Sequence, residues 1–358
     1  MKRFSFIITL FILLYLFSTN IYACTIFTAQ DGETVLVGNN EDFMYQYSSD
    51  MWFAAATGKS YGRVCFANSH YVQGGMNEKG LFYDGAACPN TQVPYSADKP
   101  SLGIDLGEVI LSQCANVDEV VEILKGYNVP DSLGDHLMFA DESGKSVIIE
   151  WVENEMKVVP KEKKYQIATN FFISDPDLGG YPCSRYSTVE KMLEGSKELS
   201  VGTFADILGA VTQTWSGGGT KYSNVYDLRN RVVYVYNKAN FDRYAVFHLD
   251  EELKKLNSKE RVEYNIDTLP YQTVDTDKPV SVDEDSPVSV DEDKPVPVDK
   301  DGPVSVAEDK SHPAAADQDS PSAAVIPEAT RHIHWWYAPL LLTGIIGAAV
   351  FILRHRAT

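Results

Sequence analysis

Positive charge is scarce in this sequence. Its 358 residues include 31 lysines and arginines against 50 aspartates and glutamates, which gives a formal charge of −19. Nucleic-acid binding depends on clustered basic side chains that neutralise phosphates. We therefore predict that the protein has no nucleic-acid partner.

Cysteine is also sparse, at five residues, and no two of them form a CxxC pair. A zinc centre of that type is not expected, and the sequence predicts no metal and no cofactor. If Cys24 is assigned to chemistry, four cysteines remain in a chain that we expect to be exported: Cys65, Cys88, Cys114 and Cys183. Four cysteines allow three disulfide pairings. The sequence does not choose among these pairings, or between them and free thiols.

The hydrophobic patterns that form a folded core are missing from residues 275–306. Residues 275–306 are four variants of the octad Asp-Thr-Asp-Lys-Pro-Val-Ser-Val, with ten acidic residues and three lysines. A proline every eight residues and alternating charge prevent the burial of a core. We interpret residues 257–333 as an extended, acidic, proline-rich linker.

The chain begins with a pattern that is typical of a secretory leader. Residues 1–23 have a basic start, an apolar run from Phe6 to Phe17, and a small residue at Ala23. This layout predicts a signal peptide cleaved after Ala23. Cleavage there makes Cys24 the first residue of the mature protein. One residue would then carry a thiol nucleophile and an α-amine of pKa about 7.7–8.0 that can act as its base.

Cys24 also has other interpretations. It could be an ordinary structural cysteine, or a lipidated one, because Ile21 and Ala23 partly fit a lipobox. Against lipidation, Tyr22 is bulky for that motif, and a strand-like segment follows the cysteine directly. Ile21 is slightly large for position −3 of a signal-peptide cleavage site, so the exact cleavage position is itself a prediction.

The C-terminal region predicts one transmembrane helix. Trp335 to Leu353 form 19 residues without a charge, and at 1.5 Å per residue they span about 28 Å of a hydrocarbon core about 30 Å thick. We assign residues 334–353 to this helix and residues 354–358 to a basic cytoplasmic tail, because aromatic residues mark one edge and arginines the other. The folded domain would be anchored in the cytoplasmic membrane on its extracytoplasmic side. The alternative is a sorting signal that is removed at the surface.

Residues 24–256 form the predicted folded domain, of the α+β class. A strand-turn-strand pattern comes first, with strands at 25–29 and 34–38 around an Asp-Gly turn. A capped amphipathic helix is predicted over 116–126, and further strands close the domain near Leu256. Strands at both ends with helices between them favour stacked α and β layers over a doubly wound sheet.

Five short motifs follow one another from the predicted N-terminus. They are Cys24-Thr25, Gly38-Asn39-Asn40-Glu41-Asp42-Phe43, Gly75 to Leu81, Thr169-Asn170 and Ser184-Arg185-Tyr186. In this order and approximate spacing the chain resembles the N-terminal-nucleophile (Ntn) hydrolases over about residues 24–249. It is most similar to the linear-amide branch, which includes choloylglycine (bile salt) hydrolases, penicillin V acylases and penicillin-type acyltransferases. The resemblance implies a four-layer αββα sandwich.

The resemblance also implies a mechanism for individual residues. The Cys24 thiol would give its proton to the α-amine and attack an amide carbonyl, and water would hydrolyse the resulting thioester. Asn170 would donate to the oxyanion, and Asp42 would orient the amine. Arg185 would lie near the thiol and favour the thiolate, unless it only forms a salt bridge at a helix start.

Substrate contacts are assigned to Asn39, Asn40, Ala87 and Phe171, although Phe171 could equally be a core residue. Two positions depart from the bile salt hydrolase pattern, which has an arginine in place of Asn39 and an asparagine in place of Ala86 or Ala87. A backbone N–H would then have to replace the missing oxyanion donor. The uncharged Asn39 is closer to the acyltransferase side of the family, so bile salts are not a secure substrate prediction.

Three functions follow from these patterns. The first is an exported, membrane-tethered amidase that hydrolyses a linear, non-peptide C–N bond of a small N-acyl amide. The second is an acyltransferase that passes the acyl group to an amine. The third is a tethered surface protein that binds without catalysis. The sequence indicates no oligomeric state.

Overall fold

The described part of the chain covers most of the predicted folded domain. In this computed structural model, the described residues are 24–68, 71–89, 91–103, 105–129, 136–257 and 259–274. The predicted signal peptide (1–23), membrane helix (334–353) and tail (354–358), and the linker beyond residue 274, lie outside them. Within the described ranges, no helix has the length and apolar character needed to cross a membrane.

Sixteen strands and five α-helices make up the described domain. The strands are β1 (Thr25–Asp31), β2 (Thr34–Met44), β3 (Ser49–Ala54), β4 (Arg63–Asn68), β5 (Tyr71–Asn77), β6 (Phe82–Ala86), β7 (His136–Ala140), β8 (Ser146–Val152), β9 (Glu155–Pro160), β10 (Tyr165–Ala168), β11 (Thr214–Trp215), β12 (Gly218–Asp227), β13 (Val232–Asn237), β14 (Asn240–His248), β15 (Arg261–Asn265) and β16 (Gln272–Thr273). The helices are α1 (Leu106–Gln113), α2 (Val117–Gly126), α3 (Ser184–Gly195), α4 (Val201–Ala210) and α5 (Leu249–Lys255).

The strands form two eight-stranded sheets. The first has the order β10-β1-β2-β12-β13-β14-β16, with β11 paired to β12, and the second has the order β15-β3-β4-β5-β6-β7-β8-β9. All their strand pairs are antiparallel. The predicted first hairpin is confirmed, since β1 and β2 pair from Thr25–Asn40 to Asp31–Thr34.

Three buried clusters define the layers of the described domain. The first lies between the sheets and combines side chains such as Ile26 of β1 and Phe66 of β4. The second lies between the second sheet and helices α1 and α2, and it includes Ile110 of α1. The third packs α3 and α4 on the first sheet, where the rings of Phe204 and Phe27 lie 4.8 Å apart. The order of layers is therefore helix, sheet, sheet, helix.

The predicted helix at 116–126 is confirmed, with the local contacts that its sequence favours. Asn116 caps α2 by accepting from the backbone N–H of Glu119 at 3.1 Å. The Glu119 carboxylate in turn accepts from the N–H of Ala115 at 2.7 Å. Such reciprocal capping needs residues only three or four positions apart, which is why the sequence reveals it.

The folded domain extends beyond the boundary near Leu256 that the sequence suggested. Strand β15 pairs with β3 along its whole length, from Arg261–Ala54 to Asn265–Asp50. The Arg261 guanidinium also lies 3.7 Å from the centroid of the Trp52 ring. The start of the predicted linker is therefore part of the second sheet.

All five cysteines are free thiols. Cys24, Cys65 and Cys114 are buried, and Cys88 and Cys183 are half-buried. The sequence left open whether the four cysteines after Cys24 form disulfides or stay free. In the structure they are free thiols.

Asn77 joins the β5–β6 turn to the end of α1. Its Nδ2 donates to the carbonyls of Leu111 at 2.9 Å and Cys114 at 2.8 Å. Its Oδ1 accepts from the N–H groups of Lys79 at 3.0 Å and Leu81 at 3.1 Å. The side chain is fully buried, so its four hydrogen bonds have no ready replacement from water.

We expect Asn77→Ala to lower the free energy of unfolding by about 3–5 kcal/mol, because it leaves several buried backbone groups unsatisfied. The comparison is Asn116→Ala, which removes an exposed helix cap and should cost about 1 kcal/mol. Urea denaturation of both variants measures the two values. Similar losses in the two would contradict a special role for Asn77.

Candidate active site

The first hairpin places Cys24 opposite a carboxylate. Because Thr25 pairs with Asn40, Cys24 lies beside the next residue of β2, Glu41. The Cys24 Sγ is 3.6 Å from Oε2 of Glu41. Cys24 is only 7% exposed, so its side chain belongs to the core between the two sheets.

Burial and charge make the Cys24 thiol a weak acid. Burial raises its pKa well above the usual value, and the charges of Glu41 and then Asp42 raise it further. A hydrogen bond from the backbone of Asp42 acts in the opposite direction. A thiol in this environment stays protonated near neutral pH, so a nucleophilic role requires a base close to the sulfur.

Glu41 is a residue next to the sulfur for which the sequence suggested no role. Its Oε1 accepts from Nδ2 of Asn68 at 2.6 Å, and it is 2% exposed. Burial, followed by the charge of Asp42, raises its pKa to about 8. The sequence gives little signal for it, because Glu41 stands among the polar residues Asn39, Asn40 and Asp42 of β2.

Glu41 should therefore control the reactivity of Cys24 as a function of pH. Above about pH 8 the Glu41 carboxylate is charged and opposes ionisation of the thiol. We expect Glu41→Gln to speed alkylation of Cys24 by iodoacetamide about threefold to tenfold at pH 9, since one pKa unit is tenfold in thiolate. At pH 6.5, where Glu41 is neutral in the wild type, the rate ratio should approach one.

Mass spectrometry of the peptide that contains Cys24 measures this rate separately from those of the other cysteines. The matched control is Glu162→Gln, at an exposed position, which should leave the rate unchanged. A Glu41→Gln rate equal to the wild-type rate at pH 9 would contradict the assigned effect of the Glu41 charge.

Asp42 lies beside Cys24 with an unused acceptor atom. Its Oδ1 accepts from the hydroxyl of Thr220 at 2.6 Å. Its Oδ2 is buried and has no hydrogen-bond partner among the described residues. Burial raises the pKa of Asp42 to about 7, while the Thr220 hydrogen bond and the charge of Arg185 lower it. The free acceptor suits a positively charged group close to Cys24.

Arg185, the second residue of α3, connects Cys24 to Asn170. It donates to the backbone carbonyl of Cys24 at 2.7 Å, to Oγ1 of Thr25 at 2.6 Å and to Oδ1 of Asn170 at 2.6 Å. A guanidinium can only donate, so this contact fixes which end of the Asn170 amide carries the oxygen. The resemblance implied that Arg185 favours the thiolate, whereas these contacts are with groups around the sulfur and orient them.

The donor end of the Asn170 amide faces the segment after β6. Its Nδ2 donates to the carbonyl of Ala87 at 2.7 Å. Asn170 is 7% exposed and follows the end of β10, which pairs with β1. The structure thus brings together Cys24, Asp42, Asn170 and Arg185, the four residues that the sequence assigned to catalysis.

The substrate-binding assignments have different outcomes. Asn39 is 1% exposed, and neither of its amide atoms has a partner among the described residues. Asn40 differs from expectation, because its amide donates to Leu208 of α4 at 2.9 Å and accepts from Ser223 at 2.6 Å. Alternation along β2 turns its side chain to the helix side of the sheet, so it supports packing and does not face a substrate.

Ala87 and Phe171 lie next to Asn170. Ala87 contributes its backbone carbonyl, as described above. Phe171 is 2% exposed, and its ring packs edge-on against Tyr181 and Tyr186 at centroid distances of 5.1 and 5.3 Å. Ala87 therefore contacts the Asn170 amide directly, whereas the Phe171 ring is packed against the two tyrosines.

Comparisons with known proteins find solved structures with a similar fold. Penicillin V acylase from Agrobacterium tumefaciens has a TM-score of 0.52 and 18% identity, covering 63% of this chain and 85% of that one. A variant of conjugated bile acid hydrolase from Clostridium perfringens has a TM-score of 0.52 and 19% identity, covering 73% of this chain and 99% of that one. At this identity the likeness concerns the fold. No curated protein sequence matches the chain significantly.

The layered sandwich and its solved neighbours define an N-terminal-nucleophile hydrolase fold. The family model described as linear amide C-N hydrolases, choloylglycine hydrolase family, matches residues 27–205. The chain belongs to this family, and it is a hydrolase that acts on linear amide carbon–nitrogen bonds.

Proposed function

We propose that this protein is an exported, membrane-tethered amidase in which Cys24, freed by removal of residues 1–23, attacks a small N-acyl amide. The observation that carries the proposal is the convergence of Asp42, Asn170 and Arg185 on the one cysteine that the predicted leader cleavage would place at the N-terminus. The leader and the anchor rest on the sequence patterns at the two ends of the chain.

The first step is transfer of the Cys24 thiol proton to its own α-amine. The environment that holds this thiol protonated makes a local base necessary, and the α-amine of an N-terminal residue has a pKa close to neutral. The unused Oδ2 of Asp42 would accept a hydrogen bond from the ammonium that forms. Sγ then attacks the amide carbonyl carbon.

The second step is collapse of the tetrahedral intermediate. The Asn170 amide, oriented by Arg185, donates from Nδ2 to the oxyanion. The ammonium of Cys24 protonates the leaving nitrogen, the C–N bond breaks, and an acyl thioester remains on Sγ. Water, deprotonated by the amine, attacks the thioester and releases the carboxylic acid and the thiol.

Intact-mass analysis of the purified full chain, incubated with a panel of N-acyl amides, tests this function. We expect a mature N-terminus at Cys24 and a transient mass increase equal to the acyl group, absent from Cys24→Ala. Adding hydroxylamine should divert the acyl group to a hydroxamate. An N-terminus elsewhere, or acyl-amide turnover that survives Cys24→Ala, would overturn the proposal.

The same experiment separates hydrolysis from acyl transfer. The uncharged Asn39, at the position where bile salt hydrolases have an arginine, is the feature that favours transfer as the second candidate function. If added primary amines capture the acyl group in preference to water, the transferase is the correct assignment.

A further inference from the structure

A buried histidine–carboxylate pair lies behind the segment that carries Asn170. His136, the first residue of β7, places Nδ1 3.1 Å from Oε1 of Glu150. Its Nε2 lies 2.5 Å from the backbone carbonyl of Thr169. His136 and Glu150 both have no exposed surface.

Both ring nitrogens of His136 therefore face acceptors. A carbonyl and a carboxylate cannot donate, so both nitrogens must carry protons and the ring is an imidazolium. Burial alone would lower the pKa of His136, but its contacts with Cys88 and Glu150 raise it to about 10. With both N–H bonds engaged, His136 does not serve as a general base for Cys88.

Glu150 holds the other end of the same segment. Besides His136, its Oε1 accepts from the N–H of Ile173 at 2.6 Å. Its Oε2 accepts from the N–H of Ser174 at 2.9 Å. The pair thus binds residues 169–174 at three backbone groups, one before Asn170 and two after it.

The pair also reaches the opposite wall of the site. Ala86, at the end of β6, pairs with His136 in the sheet, and the next residue, Ala87, accepts from Nδ2 of Asn170. His136 further contacts Cys88. One buried ring therefore contacts both segments that flank the Asn170 amide.

We propose that His136 and Glu150 are positioning residues, which hold residues 169–174 so that the Asn170 amide stays at the distance from Cys24 that oxyanion binding requires. The proposal rests on the proposed function for the role of Asn170. The backbone contacts of the pair do not depend on that function. A misplacement of about 1 Å at such a donor can cost about 100-fold in rate.

A double-mutant cycle tests the coupling in the full-length protein. We expect Glu150→Gln and His136→Gln each to lower kcat about 10- to 100-fold with less than about a threefold change in KM. On an Asn170→Ala background, the same substitutions should lower kcat less than about threefold further, since the group they position is already gone. Glu150→Asp, which keeps the charge, should recover part of the rate.

The matched control is Glu108→Gln, which breaks the partly buried ion pair between Arg63 of β4 and Glu108 of α1. This substitution should leave kcat unchanged. Full additivity of the Glu150 and Asn170 effects, or an equal loss of kcat in the Glu108 variant, would overturn the positioning role.

Hydrogen exchange of the wild type provides a readout that needs neither activity nor a stable variant. The N–H groups of Ile173 and Ser174 should exchange at least about 100-fold more slowly than unprotected amides, because a buried carboxylate accepts both. Rapid exchange there would overturn the proposal even in an active enzyme. An inactive wild type with slow exchange would instead overturn the proposed function and leave the backbone contacts of the pair established.

Discussion

A single glycine inserted between Ala23 and Cys24 is expected to remove nearly all amidase activity while leaving the thiol in place. The insertion moves the α-amine to the added residue if cleavage still follows Ala23, so Cys24 keeps its sulfur and loses its base. General-base catalysis contributes about 10²- to 10⁴-fold, and kcat should fall by that factor. The buried, protonated state of the thiol makes rescue by bulk hydroxide inefficient.

Two measurements accompany this variant. Intact mass must show the extra glycine at the mature N-terminus, and thermal unfolding must match the wild type. Cys24→Ala sets the lower limit, because loss of the nucleophile costs about 10⁶-fold in a related type of mechanism. If the glycine variant retains wild-type kcat, the base is another group, and Glu41, 3.6 Å from Sγ, becomes the first candidate.

The second large effect is expected for Asn170. Asn170→Ala removes the donor that would meet the oxyanion, and the loss of one such donor costs about 10²- to 10³-fold in kcat. Asn170→Asp should be at least as harmful, since it keeps the contact with Arg185 but replaces Nδ2 with an acceptor. KM should change little in both, because the interaction forms in the transition state.

Steady-state kinetics on the best substrate from the panel measure these effects. Thr169 provides a neighbouring control, since its hydroxyl has no hydrogen-bond partner among the described residues. Thr169→Val should keep the backbone carbonyl contact with His136 and nearly full activity. A loss in Asn170→Ala no larger than in Thr169→Val would contradict the oxyanion role.

The elements that the sequence predicts well are those with local causes. The cap of α2 joins residues three positions apart, and the β1–β2 hairpin is specified by its turn and by alternation. By contrast, β15 pairs with β3, as in Val262 with Phe53. Val262 and Tyr264 do alternate with polar residues, but so short a pattern does not reveal a partner that far away in the chain, so the predicted boundary fell short of β15.

The site shows the same division. The leader pattern supplied Cys24 and the resemblance to the family supplied Asp42, Asn170 and Arg185, and the structure places them together. It could not supply Glu41, whose partner Asn68 comes from the other sheet. Nor did it supply Glu150, a lone carboxylate in a fully buried strand, because the groups that satisfy it are backbone atoms of a later loop. A charged residue in an apolar strand, such as Glu150 in β8, is therefore the signal to examine in related sequences.

The course of β15 has a practical consequence for any version of this enzyme that is shortened at its C-terminal side. A protein cut after Leu256 would lose β15 and leave β3 as a bare edge with unpaired N–H and C=O groups along Ser49–Ala54. Bare edges recruit strands from other molecules, and Trp52 would also lose the cation above its ring. Such a fragment should precipitate or oligomerise, whereas one that ends after residue 274 keeps β3 paired with β15.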